Sequence, residues 1–398
     1  MIVLGIETSC DETALSLIEI ETKGGLPHVR IIGESLYSQT DIHARYGGVF
    51  PMMAKREHAK NLVPLLVELL TKTDLKQDTE KNVPSEKKDE LASLLEREPE
   101  LLEHFMKDIA PMKKPRIDTI AVTYGPGLEP ALWVGINFAF ALKTLWDIPV
   151  IPTNHMEGHI SGALIDSTSS TESLPLRTII FPAIALLISG GHTEIVEVRK
   201  NRTYSVIGET RDDAVGEAFD KVARILGLPY PGGPHISRLA AEARKKGVVS
   251  AWKLPRPMIN SNDLDFSFSG LKTAVLYTTK KIPAMTESVQ EQLAREFEDA
   301  ATEVLVAKTK KAIREVGART LILGGGVIAN DEIRNAMRSL AVSEGVTVHI
   351  PDAKFSTDNA SMIAVAGALR MLGGETGASL RDVRAKGSER LASPREKL

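Results

Sequence analysis

Residues 5–13 read "GIETSCDET", directly after Met1-Ile2-Val3-Leu4 and before Ala14-Leu15-Ser16-Leu17-Ile18. The apolar flanks read as two strands. The turn between them is made of hydroxyls and acids (Glu7, Thr8, Ser9, Cys10, Asp11, Glu12, Thr13) instead of Asn-Gly. A hydrophilic hairpin would account for one such turn. The pattern returns at residues 181–198, "FPAIALLISGGHTEIVEV", again as strand, small polar turn and strand. Two such units, each opening half of the chain, predict an internal duplication with two polar turns facing one ligand. Backbone N–H groups and hydroxyls of that kind suit phosphate. A third element fits them: "TLILGGGVIAND" (320–331) is a strand running into three glycines and then a helix capped by Asn330 or Asp331.

Apolar runs such as "TIAVTY", "IPVIP" and "AIALLIS" alternate with helical stretches such as Lys60–Leu70 and Gln290–Val316, which predicts an α/β architecture. The expected boundaries are an N-terminal lobe at 1–150, a C-terminal lobe at 151–372 carrying the metal and nucleotide elements, and a mobile polar tail at 373–398. Residues 72–116 break the rhythm with 21 charged residues in 45. They read as a partly helical surface insertion, a docking arm adding little to the core.

The chain has 398 residues, 43% of them hydrophobic, and a formal net charge of -3. That balance neither demands nor excludes a nucleic-acid partner. The single cysteine, Cys10, excludes an internal disulfide and reads as a small buried filler. The start of the chain carries no basic leader. The longest apolar stretches, Ala131–Leu142 and Ile179–Ile188, are too short to cross a bilayer. These features predict a soluble, cytoplasmic protein without membrane contact. No G-x-x-x-x-G-K-[ST] occurs, and Gly324-x-Gly326-x-x-Ala329 lies too late in the chain for a dinucleotide-binding βαβ unit.

"NHMEGH" (154–159) spaces His155 and His159 four residues apart, on one face of a helix. Met156 stands where a zincin protease needs glutamate, and Glu157 points elsewhere on the helix. The best third ligand is Asp358, in the polar turn "FSTDNASM" before a small-residue helix. Two histidines and a carboxylate suit one Fe²⁺ or Zn²⁺ and leave positions open for substrate oxygens.

Together "GIETSCDETA", "SQTDIHARYGGVFP", "TYGPGL", "NHMEGH", "LLISGGHTE", "DDAVGEAFDKVARILGLPYPGGP", "FSFSGLKTAV", "LGGGVIAN" and "STDNASMIA" resemble, in order, the tRNA N6-adenosine threonylcarbamoyltransferase (TsaD) family across about residues 1–71 and 117–372. The resemblance implies an actin-like, sugar-kinase-like ATPase fold: two duplicated ribonuclease-H-like lobes with the ligand cleft between them. It implies transfer of threonylcarbamoyl from threonylcarbamoyl-adenylate to N6 of adenosine 37 in tRNAs reading ANN codons, with release of AMP. It places metal ligands on His155, His159 and Asp358, Fe²⁺ before Zn²⁺. Substrate contacts fall on Leu187, Ile188, Ser189, Gly190, Gly191, Asp220, Gly233 and Asn330. Thr8 and Ser9 become donors to phosphate, and Asp11 and Glu12 the acidic pair needed for activity. ATP or ADP becomes a regulatory nucleotide; an inactive paralogue and a P-loop ATPase become partner subunits. Asp220 could instead be an ion-pair acid for Arg224, and His192 either a phosphate ligand or a strand cap. "PMMAKR" (51–56) departs from the family's usual "PELASR", so Met52 removes an acid there. The rival readings are a small-molecule kinase of the same superfamily and a non-catalytic partner subunit.

Overall fold

In the computed structural model, which describes residues 1–78, 83–169 and 171–391, the opening motif is the turn between strands β1 (Ile2–Glu7) and β2 (Glu12–Lys23). β3 (Leu26–Ser38) pairs antiparallel with β2; β4 (Thr119–Gly125) runs parallel to β1, and β5 (Val150–Asn154) parallel to β4. The short β6 (Leu174–Pro175) extends the edge beyond β3, for an order β5-β4-β1-β2-β3-β6. The second polar turn joins β7 (Ala183–Ile188) to β8 (Thr193–Arg199). With β9 (Thr203–Glu209), β10 (Thr320–Gly324) and β11 (Thr347–His349) they form a sheet of order β11-β10-β7-β8-β9.

Without β6 the two orders are the same. The first strand of each unit lies in the middle, its two hairpin neighbours on one side and two parallel crossover strands on the other. The duplication expected from the two turns is therefore a duplication of topology. Parallel neighbours need crossover helices. Pro51–Lys72 and Glu129–Trp146 serve the first sheet; Glu287–Val316 and Asp331–Glu344 serve the second.

The chain divides into two compact units, Met1–Arg177 with Asp358–Arg390, and Thr178–Thr357. This differs from the boundary at 150 in two ways. β5 and the helix His155–Ala163 belong to the first sheet's unit, and the helix Ala360–Leu372 returns to it, packing on β1, β4 and His155–Ala163. The small residues of that helix allow this. A Cβ on Gly5 would collide with the Ala360 carbonyl, so β1 and the helix meet backbone to backbone. The metal elements assigned to a C-terminal lobe thus lie in the first unit.

Nor is residue 373 the start of a loose tail. Ala378 N–H donates to Val150 O at 2.8 Å, Lys143 Nζ to Ala378 O at 2.6 Å, and Lys386 N–H to Tyr124 O at 2.9 Å, while Val383 is buried. Residues 392–398, the rest of that expected tail, lie outside the described residues.

The charged segment is also corrected. It forms the helices Ser85–Leu94 and Pro99–His104 and a wider helical turn, Phe105–Ile109. Leu91, Leu95, Leu101, Phe105, Ile109 and Met112 are buried in the same core as Leu66, Leu69 and Phe138. The apolar side chains turn inward while most of the charges face outward, so high charge density coexists with burial of the apolar face. Among the described residues no helix is long and apolar enough to cross a membrane.

Candidate active site

β1, β4 and β5 are parallel, and their carboxyl ends, near Glu7, Gly125 and Asn154, lie together on one edge of the sheet. Ligands in α/β proteins gather at such edges. Asn154 closes β5 and caps the next helix: its Oδ1 accepts from Met156 N–H at 2.8 Å and Glu157 N–H at 3.4 Å. The cap fixes His155 as the first helical residue, and His159 follows one turn later, their rings edge to face at 4.7 Å. Asp358 directly precedes Asn359, which caps Ala360–Leu372 by accepting from Met362 N–H at 2.9 Å. Asp358 Oδ1 then lies 3.4 Å from His155 Nε2 and 3.2 Å from His159 Nε2. Glu157 faces away, paired with Arg370 at 3.2 Å.

The donor set fits a divalent cation. One ligand atom from each of His155, His159 and Asp358 lies within 4.8 Å of the others. Both ring nitrogens of His159 are buried without a hydrogen-bond partner, and Nε2 stands by Asp358 outside hydrogen-bonding geometry. A buried unpaired nitrogen is costly, and a cation at Nε2 would relieve it. The electrostatics agree. Burial opposes charge on His155, but Asp358 and Glu7 outweigh it and hold the imidazole well above its usual pKa. Burial likewise works against the Asp358 carboxylate, but His155 and His159 hold it well below the usual carboxylate range. His159 is shifted down, by burial and then by repulsion from His155.

The acidic turn lies within electrostatic reach of this centre. Burial, Asp11 and Asp358 together push the Glu12 carboxyl up to about 10, and burial with the same carboxylates raises the Cys10 thiol. Glu12 also accepts from Ser38 Oγ at 3.4 Å. Thr8 does not present its hydroxyl as a free donor to phosphate, and Ser9 faces inward beside His155. Both are buried; Thr8 Oγ1 donates to Ala131 O at 3.2 Å, and Ser9 Oγ lies 3.3 Å from His155 Nδ1. Gly127 of "TYGPGL" brings the backbone against Ser9: a Cβ there would strike it, and Ser9 O accepts from Leu128 N–H at 2.7 Å.

The remaining expected contacts lie in the second unit. Leu187 and Ile188 are the buried last residues of β7, and Ser189 Oγ accepts from Gly191 N–H at 3.3 Å and His192 N–H at 3.1 Å, closing the turn. Gly190, Gly191 and Gly233 border open space. Gly325, at φ +94°, lies against the Ile188 backbone, so the carboxyl ends of β7 and β10 meet. Asn330 rather than Asp331 is the cap: its Oδ1 accepts from Ile333 N–H at 3.0 Å and its Nδ2 donates to Glu298 Oε1 at 2.6 Å. Asp220 Oδ1 accepts from Gly232 N–H at 2.7 Å, tying its helix to the "PGGP" turn.

Two supporting residues escaped the reading of the sequence: Glu7, buried behind His155, and His58. His58 had a signal, because it interrupts the apolar stripe Ala54–Leu62–Leu66–Leu69. Its Nε2–H donates to Cys10 O at 3.0 Å and its Nδ1 pairs with Thr13 Oγ1 at 2.7 Å, clamping both ends of the acidic turn. Burial lowers its pKa to about 4. The unfolded chain then takes the proton first, so this stabilisation is complete above the ordinary histidine pKa near 6.5 and is lost as pH falls toward 4. The stability advantage of wild type over His58→Leu should shrink by about 2 kcal/mol between pH 7 and pH 5. A difference in denaturant-derived stability that stays constant over that range would contradict the clamp.

A family model described as TsaD, tRNA N6-adenosine threonylcarbamoyltransferase, matches residues 30–82 and 93–365. A protein of that name from Burkholderia mallei (strain ATCC 23344) is 43% identical over 377 residues, covering 93% of this chain and 92% of the relative. One from Paraburkholderia xenovorans (strain LB400) is 43% identical over 374 residues with the same coverage. Among solved structures, component A of (R)-2-hydroxyglutaryl-CoA dehydratase from Acidaminococcus fermentans aligns at TM-score 0.45 and 14% identity, over 94% of this chain and 100% of that one. The family match interrupts the charged segment only at residues 83–92, so most of that segment lies within the matched region.

Proposed function

The chain belongs to the tRNA N6-adenosine threonylcarbamoyltransferase family, and from that premise we propose how its residues divide the work. It modifies tRNA by transferring the threonylcarbamoyl group to N6 of an adenosine. The finer reading is transfer from threonylcarbamoyl-adenylate to adenosine 37 of tRNAs reading ANN codons. The N6–carbon bond forms, the carbon–oxygen bond to phosphate breaks, AMP leaves, and N6 gives up a proton.

The observation that carries this reading is the convergence of His155, His159 and Asp358 beside the turn bearing Asp11 and Glu12. A divalent cation held there, Fe²⁺ in our assignment with Zn²⁺ as the alternative, would supply Lewis-acid polarisation of the carbamoyl carbonyl or anchor the threonyl carboxylate. Adenine N6 is a poor nucleophile, so orientation and proton removal must supply much of the barrier reduction. Asp11 is assigned the proton from N6. Glu12, beside Asp11 in the same turn, is assigned a contact to a substrate oxygen. Leu187, Ile188, Ser189, Gly190, Gly191, Asp220, Gly233 and Asn330 are assigned to the adenylate. Thr8 and Ser9 support the turn from behind. An inactive paralogue and a P-loop ATPase complete the assembly in the cytoplasm, with ATP or ADP setting its state.

The test is transfer of labelled threonine from preformed adenylate to tRNA, with partner subunits present and adenosine 37 changed to guanosine as control. Asp11→Ala should lower transfer by about 10²–10⁴-fold with cation content and melting temperature unchanged. Equal labelling of the guanosine control, or rapid phosphorylation of a metabolite without tRNA, would favour the kinase alternative.

A further inference from the structure

Glu7 ends β1 and has no exposed surface, yet three segments of chain converge on its carboxylate. Oε2 accepts from Thr123 Oγ1 of β4 at 2.6 Å and faces His155 Nδ1 at 3.1 Å; Oε1 accepts from Ser9 N–H at 2.5 Å. A buried carboxylate is tolerated only when fully partnered. The Thr123 and Ser9 groups both donate, so the carboxylate stands as acceptor toward Nδ1 as well. Ser9 Oγ, 3.3 Å from the same nitrogen, is the other neighbour of Nδ1.

We propose that Glu7 is a positioning residue for the cation: by taking the Nδ1–H of His155 it directs the Nε2 lone pair toward Asp358 and makes His155 the preset, more basic ligand of the pair. His159 has no such support, since its Nδ1 is buried without a hydrogen-bond partner. The two histidines are therefore unequal. One has a carboxylate behind its Nδ1, and the other has none. Supports of this kind fix the tautomer and ring orientation of a ligating histidine. Glu7→Gln preserves shape but offers an N–H₂ group to a pocket already filled with donors. Either Ser9 N–H loses its acceptor or His155 turns its proton toward the cation.

This inference rests on the reading of His155, His159 and Asp358 as a cation site, and the experiment separates the two. Wild type, Glu7→Gln, Thr123→Val and His159→Ala are titrated with Co²⁺. The visible absorption of bound Co²⁺ and the melting temperature of the cation-free protein are also recorded. Glu7→Gln should weaken Co²⁺ binding about 10–100-fold and change the absorption bands. Thr123→Val, which keeps the carboxylate but removes one anchor, should weaken it severalfold. Both should melt as folded proteins. Wild-type binding that His159→Ala abolishes but that Glu7→Gln and Thr123→Val leave within twofold, with unaltered bands, overturns the Glu7 proposal alone. If Glu7→Gln does not fold, Thr123→Val decides by the same criterion. Wild type that binds no Co²⁺ overturns the cation site and this proposal with it.

Discussion

Asp358→Ala should leave a folded protein that retains no stoichiometric divalent cation and has lost transfer activity. The affinity loss should exceed the roughly 100-fold that removal of a merely supporting residue produces. Asp358 Oδ1 faces the Nε2 atoms of both histidines, at 3.4 and 3.2 Å, and is the one anionic donor in the cluster. Two imidazoles would remain without the carboxylate that faces both of their Nε2 atoms. The helix behind should survive, because its cap is Asn359, not Asp358. Asp358→Asn tests charge against shape: it keeps the volume and an oxygen but not the negative charge, and should lose the cation as well. Metal analysis of the purified variants, with circular dichroism as the fold control, is the measurement. Stoichiometric metal in Asp358→Ala would place the site elsewhere.

The second large effect concerns the charged segment. Phe105→Ala should destabilise the first unit by about 3–5 kcal/mol, because a fully buried ring leaves a cavity that rigid neighbours cannot fill. The ring packs edge-on against Phe138 at 6.0 Å, and Phe138 belongs to the crossover helix between β4 and β5. The cavity would therefore open beneath the strands that carry the site. In a unit of this size the shift corresponds to a melting temperature lower by about 10 °C. Replacing residues 85–112 with a short Gly/Ser linker should abolish soluble expression, because it strips the buried side chains of Leu91, Leu95, Leu101, Phe105, Ile109 and Met112 from one core at once. The expectation from composition was the reverse, a dispensable arm. A linker variant that stays soluble and melts within a few degrees of wild type would restore that expectation.

The α/β class, the duplication and the placing of two histidines on one helix face were legible in the sequence, and Asp358, expected there as their partner, does lie beside both rings. These are local or repetitive properties. A four-residue spacing on a helix places two rings on one face whatever the rest of the chain does. A polar turn between apolar runs is visible twice because the fold uses it twice. Family motifs carried the rest of the assignment. Only the tertiary structure decided which unit holds the centre, because the chain leaves the first unit at Arg177 and returns at Asp358, a path that no local pattern records. It also decided that Thr8 and Ser9 face inward, since the groups that bury them, Ala131 O and His155 Nδ1, are more than a hundred residues away in sequence. Glu7 looked like one acid among several in a hydrophilic turn. Its role depends on Thr123 and His155, brought to it by the parallel pairing of β1, β4 and β5. The charged segment was misjudged for the same reason. Charge density reports the solvent face of a helix, whereas burial of the opposite stripe depends on whether a partner helix exists, and here two do.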